Sequence, residues 1–585
     1  MGRFDALKGR GPLGRYGGMG RGVGPAVGSV VLVLALLGSS VALAEGRAPS
    51  LGRVEPGPTA VRPGKPLPAL TSVGDDALLR ALERGRLDEA AYALERARSL
   101  FDLAGVRARY GDVERPDPRA ATLVLRDLFL RLGELDPRPR AEAVALLARP
   151  TDGGADPAGD GYAVAEETPV CTDQGCIHYV ASTADAPSLT DVDPANGIPD
   201  YVDAASAVLE EVWAKEVTEL GYRAPKSDVT SANDGGDGRI DVYLANLGDD
   251  GLYGYCTTDD PNAIDPGSTY RYYDFSAYCV VDDDYAEFPP PSNGLAGLQV
   301  TMAHEFFHAV QFAYDAAEDA WFMESTSSWM EDEVYDAIDD NLQYLPYGPL
   351  GRPRVPLDLN RGFAVYGAWI WPRFLAETAQ DVDIIRRAWK RADASRKGAD
   401  AYSLEAYAGA IGSYGRRFRW VFADFGMYSA APTARYEEGA SYPVPPDDER
   451  VRIRRRDGGA AGSKPLDHLT NAYIRFTPGG GVGSTAKLAV AVDGPPRRAG
   501  TEASVVVFSV GGRVRFVPLP VDRRGDASTV VPFGADRIAR VELVMTNASM
   551  RRDGRCWRDP SWRYSCAAYP RDDDLRFRYV ATLIQ

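Results

Sequence analysis

Residues 301–335, TMAHEFFHAVQFAYDAAEDAWFMESTSSWMEDEVY, decide how this chain is read. His304 and His308 stand four apart with Glu305 between them, an H-E-x-x-H pattern. On a helix this spacing puts both imidazoles on one face, a turn apart, so their ring nitrogens can converge on one ion with Glu305 beside it. Zinc held by two His and one Glu keeps a position for water, whose pKa falls toward neutrality, and an adjacent carboxylate can take the proton as that water attacks a carbonyl. The competing reading is an ordinary histidine pair on an amphipathic helix. The scarcity of histidine, four in 585 residues, argues against coincidence.

The downstream acids Glu318, Asp319, Glu324, Glu331, Asp332 and Glu333 are candidates for a third ligand. Glu324 is preferred because Trp321–Ser328 reads W-x-x-E-S-T-S-S, whose small residues let a second helix pack closely on the first. Glu318 and Asp319 fall in AYDAAEDA and read as solvated acids in the turn between the helices. Glu331 and Asp332 continue the Glu324 helix, where either can hydrogen-bond a ligand histidine or simply face solvent. His178 in CIHYV alternates like a strand and His468 precedes one, so both read as structural.

The block AHEFFHAVQFAYD, with W-x-x-E and WMEDEVY after it, resembles a family of secreted bacterial metallopeptidases of the gluzincin type. Further pieces agree: IHYV (177–180), NGIPDYVD (196–203), GRIDVYLANL (238–247), YGYC (253–256) and YGAWIWPRFL (366–375), so the similarity runs from about residue 160 to the C-terminus. The resemblance implies a zincin-like peptidase domain with His304, His308 and Glu324 as zinc ligands and Glu305 as general base. Four residues after the Glu ligand the thermolysin-like pattern has Asp, and here stands Ser328, which leaves the partner of the first histidine open. Tyr366, at the head of an aromatic helix, is a candidate donor to the oxyanion, against the alternative of a core tyrosine.

Residues 1–44 carry five basic side chains before the apolar run VGSVVLVLALLGSSVALA (27–44) and read as a cleaved export signal rather than an anchor. Net charge is −17; removing those five bases and Asp5 takes it to −21, which favours a secreted, extracellular, monomeric protein and disfavours nucleic acid. The substrate expected is a protein or peptide. The six cysteines form three local pairs, Cys171 with Cys176, Cys256 with Cys279 and Cys556 with Cys566, predicted as disulfides of an exported chain.

The fold class expected is α+β. Residues 45–155 comprise a Pro- and Gly-rich linker and amphipathic helices, either a removable segment that blocks the cleft or a permanent helical domain. Residues 156–430 form the metallopeptidase region, strands first and metal helices after, with FAVYGAWIWPRFLAETA as one later helix. Residues 431–585 begin as a linker and alternate as a β-sandwich. Two acidic loops are candidate calcium sites, Asp191, Asp193, Asn196, Asp200 and Asp203 in the first and Asn233, Asp237 and Asp241 in the second. Asx-rich turns give the same letters. The alternatives in function are a non-catalytic extracellular binding protein that works through its β region, and a zinc hydrolase acting on a non-peptide bond.

Overall fold

The computed structural model describes residues 76–585 apart from 118, 153–160, 261–272, 396–399, 555 and 557–561. The expected export signal, residues 1–44, and the linker after it lie outside the described residues. Helices and strands are mixed in an α+β arrangement with several sheets. Among the described residues no helix is long and apolar enough to cross a membrane.

The chain opens with five helices: α1 (Ala77–Glu83), α2 (Glu89–Phe101), α3 (Leu103–Tyr110), α4 (Ala121–Arg131) and α5 (Pro137–Ala145). Asp76 and Asp88 start α1 and α2 by accepting first-turn amide hydrogens, at 3.0 Å from Leu78 and Leu79 and at 2.8 Å from Ala91. Helix α4 differs from its neighbours because all eleven of its residues are buried. A helix apolar on one face only could not be buried all round. The sequence of α4, ATLVLRDLFLR, solves this by packing α2 on one side and strand β4 on another, while Arg126 and Asp127 pair with each other.

The first sheet has the order β1-β2-β3-β5-β4, from Val170–Cys171 (β1), Gly175–His178 (β2), Ile240–Ala245 (β3), Gly254–Thr257 (β4) and Tyr278–Asp282 (β5). Its three central strands are parallel and its two edges antiparallel. β2, β3 and β5 are buried along their whole length, as parallel strands covered on both faces must be, and the antiparallel edge strand β4 is buried as well. Helix α6 (Asp200–Trp213) makes the β2 to β3 crossover and packs beside α7 (Gly294–Asp315), which lies on β4 and β5. Gly254 permits that close approach: a Cβ there would stand 2.8 Å from Thr301 Cγ2 and 3.3 Å from Glu305 Cγ. The Cys256–Cys279 disulfide joins β4 to β5 at directly paired positions, and Cys171–Cys176 and Cys556–Cys566 are the other two bridges.

Helix α8 (Ala320–Val334) packs on α7 and is followed by α9 (Ala364–Gly367), α10 (Ile370–Ala379), α11 (Asp383–Trp389), α12 (Ser403–Ser413) and α13 (Phe418–Ser429). The single helix expected over 363–379 is two. Pro372 has no amide hydrogen to donate and fits only a first turn, so the helix restarts at Ile370.

Strands β6 (Glu449–Ile453), β7 (Gly459–Leu466), β8 (Thr470–Pro478), β9 (Lys487–Asp493), β10 (Thr501–Ser509), β11 (Val514–Pro518), β12 (Asp526–Pro532), β13 (Ile538–Asn547) and β14 (Leu575–Ile584) form two sheets, β11-β10-β13-β8-β6 and β12-β9-β14-β7. One apolar core holds side chains of both, among them Ile474, Val505 and Leu543 from the first and Val490, Val531 and Phe577 from the second. The other face of the first sheet, through Tyr473, Val506 and Val544, covers Met427 of α13. The C-terminal region also reaches the start of α8: Trp321 Nε1 donates to Ser565 Oγ at 2.9 Å and Asp319 accepts the Cys566 amide hydrogen at 2.8 Å.

Candidate metal centre

Among the described residues, four groups of His, Cys, Asp or Glu side chains place their ligand atoms within 4.8 Å of one another. In the group that contains Cys176, that cysteine is disulfide-bonded. Two others are carboxylates alone, partly exposed. The fourth, His304, His308 and Glu324, joins two imidazoles to a carboxylate and is buried throughout.

Helix α7 supplies both histidines. Their Nε2 atoms are 3.1 Å apart, and Glu324 Oε2 from α8 lies 3.2 Å from the first and 3.5 Å from the second. The outward-facing nitrogens fix the tautomers. His304 Nδ1 stands 2.6 Å from Glu331 Oε1, and His308 Nδ1 stands 2.8 Å from Gln311 Oε1, both acceptors, so each Nδ1 carries the hydrogen. The Gln311 amide is oriented by its other end, whose Nε2 donates to Met323 O, Thr326 Oγ1 and Ser327 Oγ at 3.0–3.1 Å. Two bare Nε2 lone pairs and a carboxylate oxygen therefore converge on one point. Glu324 Oε1, also buried, has no hydrogen-bond partner. Burial pulls the His304 imidazole down to about 4 and that of His308 to about 3, so neither ring supplies a neutralising charge near pH 7. Three acceptors this close repel one another unless a cation, or a proton on Glu324, whose carboxyl pKa burial raises, stands between them, and the N, N, O set suits zinc. On its donors alone, the pocket fits the metal.

Glu305, next to His304 on α7, is 1% exposed. Its Oε2 accepts a hydrogen bond from Thr122 Oγ1 at 2.6 Å, and its Oε1 has no partner. Burial, reinforced by the nearby Glu324 carboxylate, pushes its pKa up to about 8. Tyr366 on α9 presents its ring 6.3 Å from that of His304, and its buried hydroxyl has no partner. Burial and the field of Glu324 keep that hydroxyl protonated.

Of the two acids considered as partners of a ligand histidine, Glu331 faces His304. Asp332 points the other way, to Arg373 on α10. Burial pushes Glu331 up to about 8, opposed by Arg119, whose Nη1 donates to the same oxygen at 2.8 Å. Arg119 also holds Asp340 at 2.6 Å. The Ser328 hydroxyl, where the thermolysin-like pattern has Asp, has no partner. Glu331, two helical turns beyond Glu324, makes the contact instead.

The reading of Glu318 and Asp319 as solvated is wrong. They are 1% and 2% exposed and tie the turn to α12, with the Ser403 amide on Glu318 at 3.1 Å and the Ser403 hydroxyl on Asp319 at 2.6 Å. Glu333 is paired with Arg373. His178 lies between Glu166 and Asp241, and His468 between Asp358 and Asp573.

In the first acidic loop Asp191, Asn196 and Asp200 spend oxygens on backbone amides of residues 192–198, and Asn196 donates to Asp203. The second loop does not converge. Asp241 is committed to Arg149 and His178, Asp237 to Arg239, and Asn233 to Asp152 and Asp259.

Gln311, Arg119 and Thr122 were not found by reading the sequence. Gln311 had a local signal, three residues after His308 on the same helix face, whereas nothing near α7 in sequence points to Arg119 or Thr122. No family model matches the chain, and no curated protein matches it.

Proposed function

We propose that this chain is a secreted zinc-dependent peptidase whose metal is held by His304, His308 and Glu324. The observation that carries the reading is the convergence of two imidazole Nε2 atoms and a carboxylate oxygen on one buried point, with a second carboxyl group, Glu305, one residue from His304. Zinc bound there supplies Lewis acidity, which lowers the pKa of an attacking water and polarises a carbonyl. Glu305, in its ionised form, would accept a proton from the attacking water and pass it to the leaving amine. Tyr366, whose ring stands 6.3 Å from that of His304 and whose buried hydroxyl has no partner, would donate to the oxyanion. Glu331 and Gln311 hold the two rings so that their free nitrogens face inward. The three disulfides accord with an exported chain.

The test is Glu305→Gln. The variant keeps about one zinc per chain and loses nearly all chelator-sensitive peptidase activity. Undiminished activity in that variant removes Glu305 as the base.

A second reading, a purely structural metal in a non-catalytic binding protein, draws on the complete burial of the site. An unoccupied fourth position belongs to catalysis and a closed shell to structure. A chelator that releases zinc without unfolding the chain favours catalysis, whereas release coupled to loss of fold favours structure.

A further inference from the structure

We propose that one end of the two C-terminal sheets is a docking surface for an anionic lipid bilayer, made of exposed arginine and lysine side chains with two exposed apolar ones among them. The proposal is independent of the metal centre.

Charge is divided unevenly along the chain. Residues 431–585 hold 25 Lys and Arg against 18 Asp and Glu, a net of +7, in a chain whose total is −17. Such an asymmetry points to an anionic partner for the basic part. The strand registers show where the excess is displayed. β8 starts beside the helical region, where the Leu357 amide donates to Leu469 O at 3.2 Å, the Asn471 amide donates to Pro353 O at 2.8 Å and His468 meets Asp358. Its nine residues carry the sheet about 30 Å away from those contacts. At the far end Pro478 lies opposite Ile453 of β6, and the pairings β8 to β13, β13 to β10, β14 to β9 and β9 to β12 bring Ile538, Ser509, Ile584 and Pro532 to the same end. The connections there, 454–458, 479–486, 510–513 and 533–537, are tied to their neighbours. The Arg455 amide donates to Gly480 O at 3.2 Å, the Phe533 amide to Ala486 O at 2.8 Å and the Val510 amide to Arg537 O at 2.9 Å.

These connections and the strand ends beside them carry Arg454, Arg455, Arg456, Lys487, Arg513 and Arg537, all exposed, against Asp457 and Asp536. Each acid is matched by one of the bases, Arg456 with Asp457 at 3.6 Å and Arg537 with Asp536 at 3.7 Å, which leaves four cations in excess. Arg454, Arg455 and Arg456 line an open hollow of about 680 Å³ with Gly480, roomy enough for a phosphate headgroup. Among the cations stand Val510, 62% exposed, and Ile584, 43% exposed and paired with Lys487 across β14 and β9. The turn that holds Val510 reads Val-Gly-Gly-Arg, so the two residues after it have no side chains to keep it off a surface. These apolar tips favour a bilayer over a soluble polyanion, which would engage the cations alone. At a bilayer the cations meet lipid phosphates while the apolar tips enter the boundary of the acyl chains.

The test is flotation of the full-length chain with vesicles of phosphatidylcholine alone and with vesicles that also hold about 30 mol% phosphatidylglycerol, at about 0.1 M salt. Each Lys or Arg near an anionic surface multiplies partitioning about five-fold, so four in excess favour the anionic vesicles by about 100-fold or more. Replacing Arg454, Arg455 and Arg456 together by Gln should lower that partitioning by about 100-fold. Val510→Asp should lower it by itself. An unchanged thermal midpoint shows that the variants fold, and should the triple variant unfold, Lys487→Gln combined with Arg513→Gln takes its place with an expected loss of about 25-fold. Flotation that is equal with the two kinds of vesicle, or absent with both, overturns the proposal. Anionic-vesicle binding that Val510→Asp leaves unchanged, and that dextran sulfate matches in affinity, overturns the bilayer in favour of a soluble polyanion.

Discussion

His304 and His308 each turn Nδ1 toward an acceptor, Glu331 for the first and Gln311 for the second. Losing such an orienting partner costs about 10- to 100-fold in metal affinity. Glu331→Gln and Gln311→Ala are therefore expected to weaken zinc binding by that factor in a competitive-chelator titration, and unchanged affinity would show that the rings are held by packing alone. His468 tests a second buried histidine at the same scale. Burial alone would lower its pKa, but Asp358 and Asp573 outweigh it and raise it to about 10. A folded pKa above the unfolded 6.5 contributes stability that is complete below about pH 6.5 and is lost as pH rises through about 10. His468→Gln should accordingly cost about 3 kcal/mol at neutral pH, and the gap to the unmodified chain should close toward pH 10 in denaturant titrations.

At the scale of elements, helix α7 is placed by the missing side chain of Gly254, which lets the edge strand lie against Thr301 and Glu305. Gly254→Val is expected to cost about 1–3 kcal/mol by overpacking and to shift α7. A thermal midpoint equal to that of the unmodified chain would mean the strand relaxes freely. What the sequence made legible follows the same logic of locality. His304 and His308 were readable because one helix fixes the i, i+4 geometry. Glu324 was readable because the small residues beside it announce close helix packing. The buried turn at Glu318 and Asp319 was misread, since its partners Ser403 and Cys566 lie 84 or more residues away in sequence. Thr122 and Arg119 were invisible for the same reason, being 183 and 212 residues from the groups they meet. The break before Pro372 was missed because the aromatic pattern of 363–379 overrode the backbone chemistry of proline.

For the whole molecule, the N-terminal helices, the first sheet and helices α7 and α8 close around one buried polar centre. The helices seal it from one side through α4, and residues Ser565 and Cys566 brace the start of α8 from another. A cation bound only by the folded chain stabilises that whole arrangement by mass action, so the thermal midpoint should rise with free zinc and fall in chelator. The most direct test of the central claim is zinc K-edge absorption on the purified chain, paired with metal analysis of a Glu324→Ala variant. The account predicts about one zinc per chain, with two imidazole nitrogens and a carboxylate oxygen at about 2.0–2.2 Å, and loss of most of that zinc in the variant. A chain that binds no zinc, or that holds it equally well without Glu324, would contradict it.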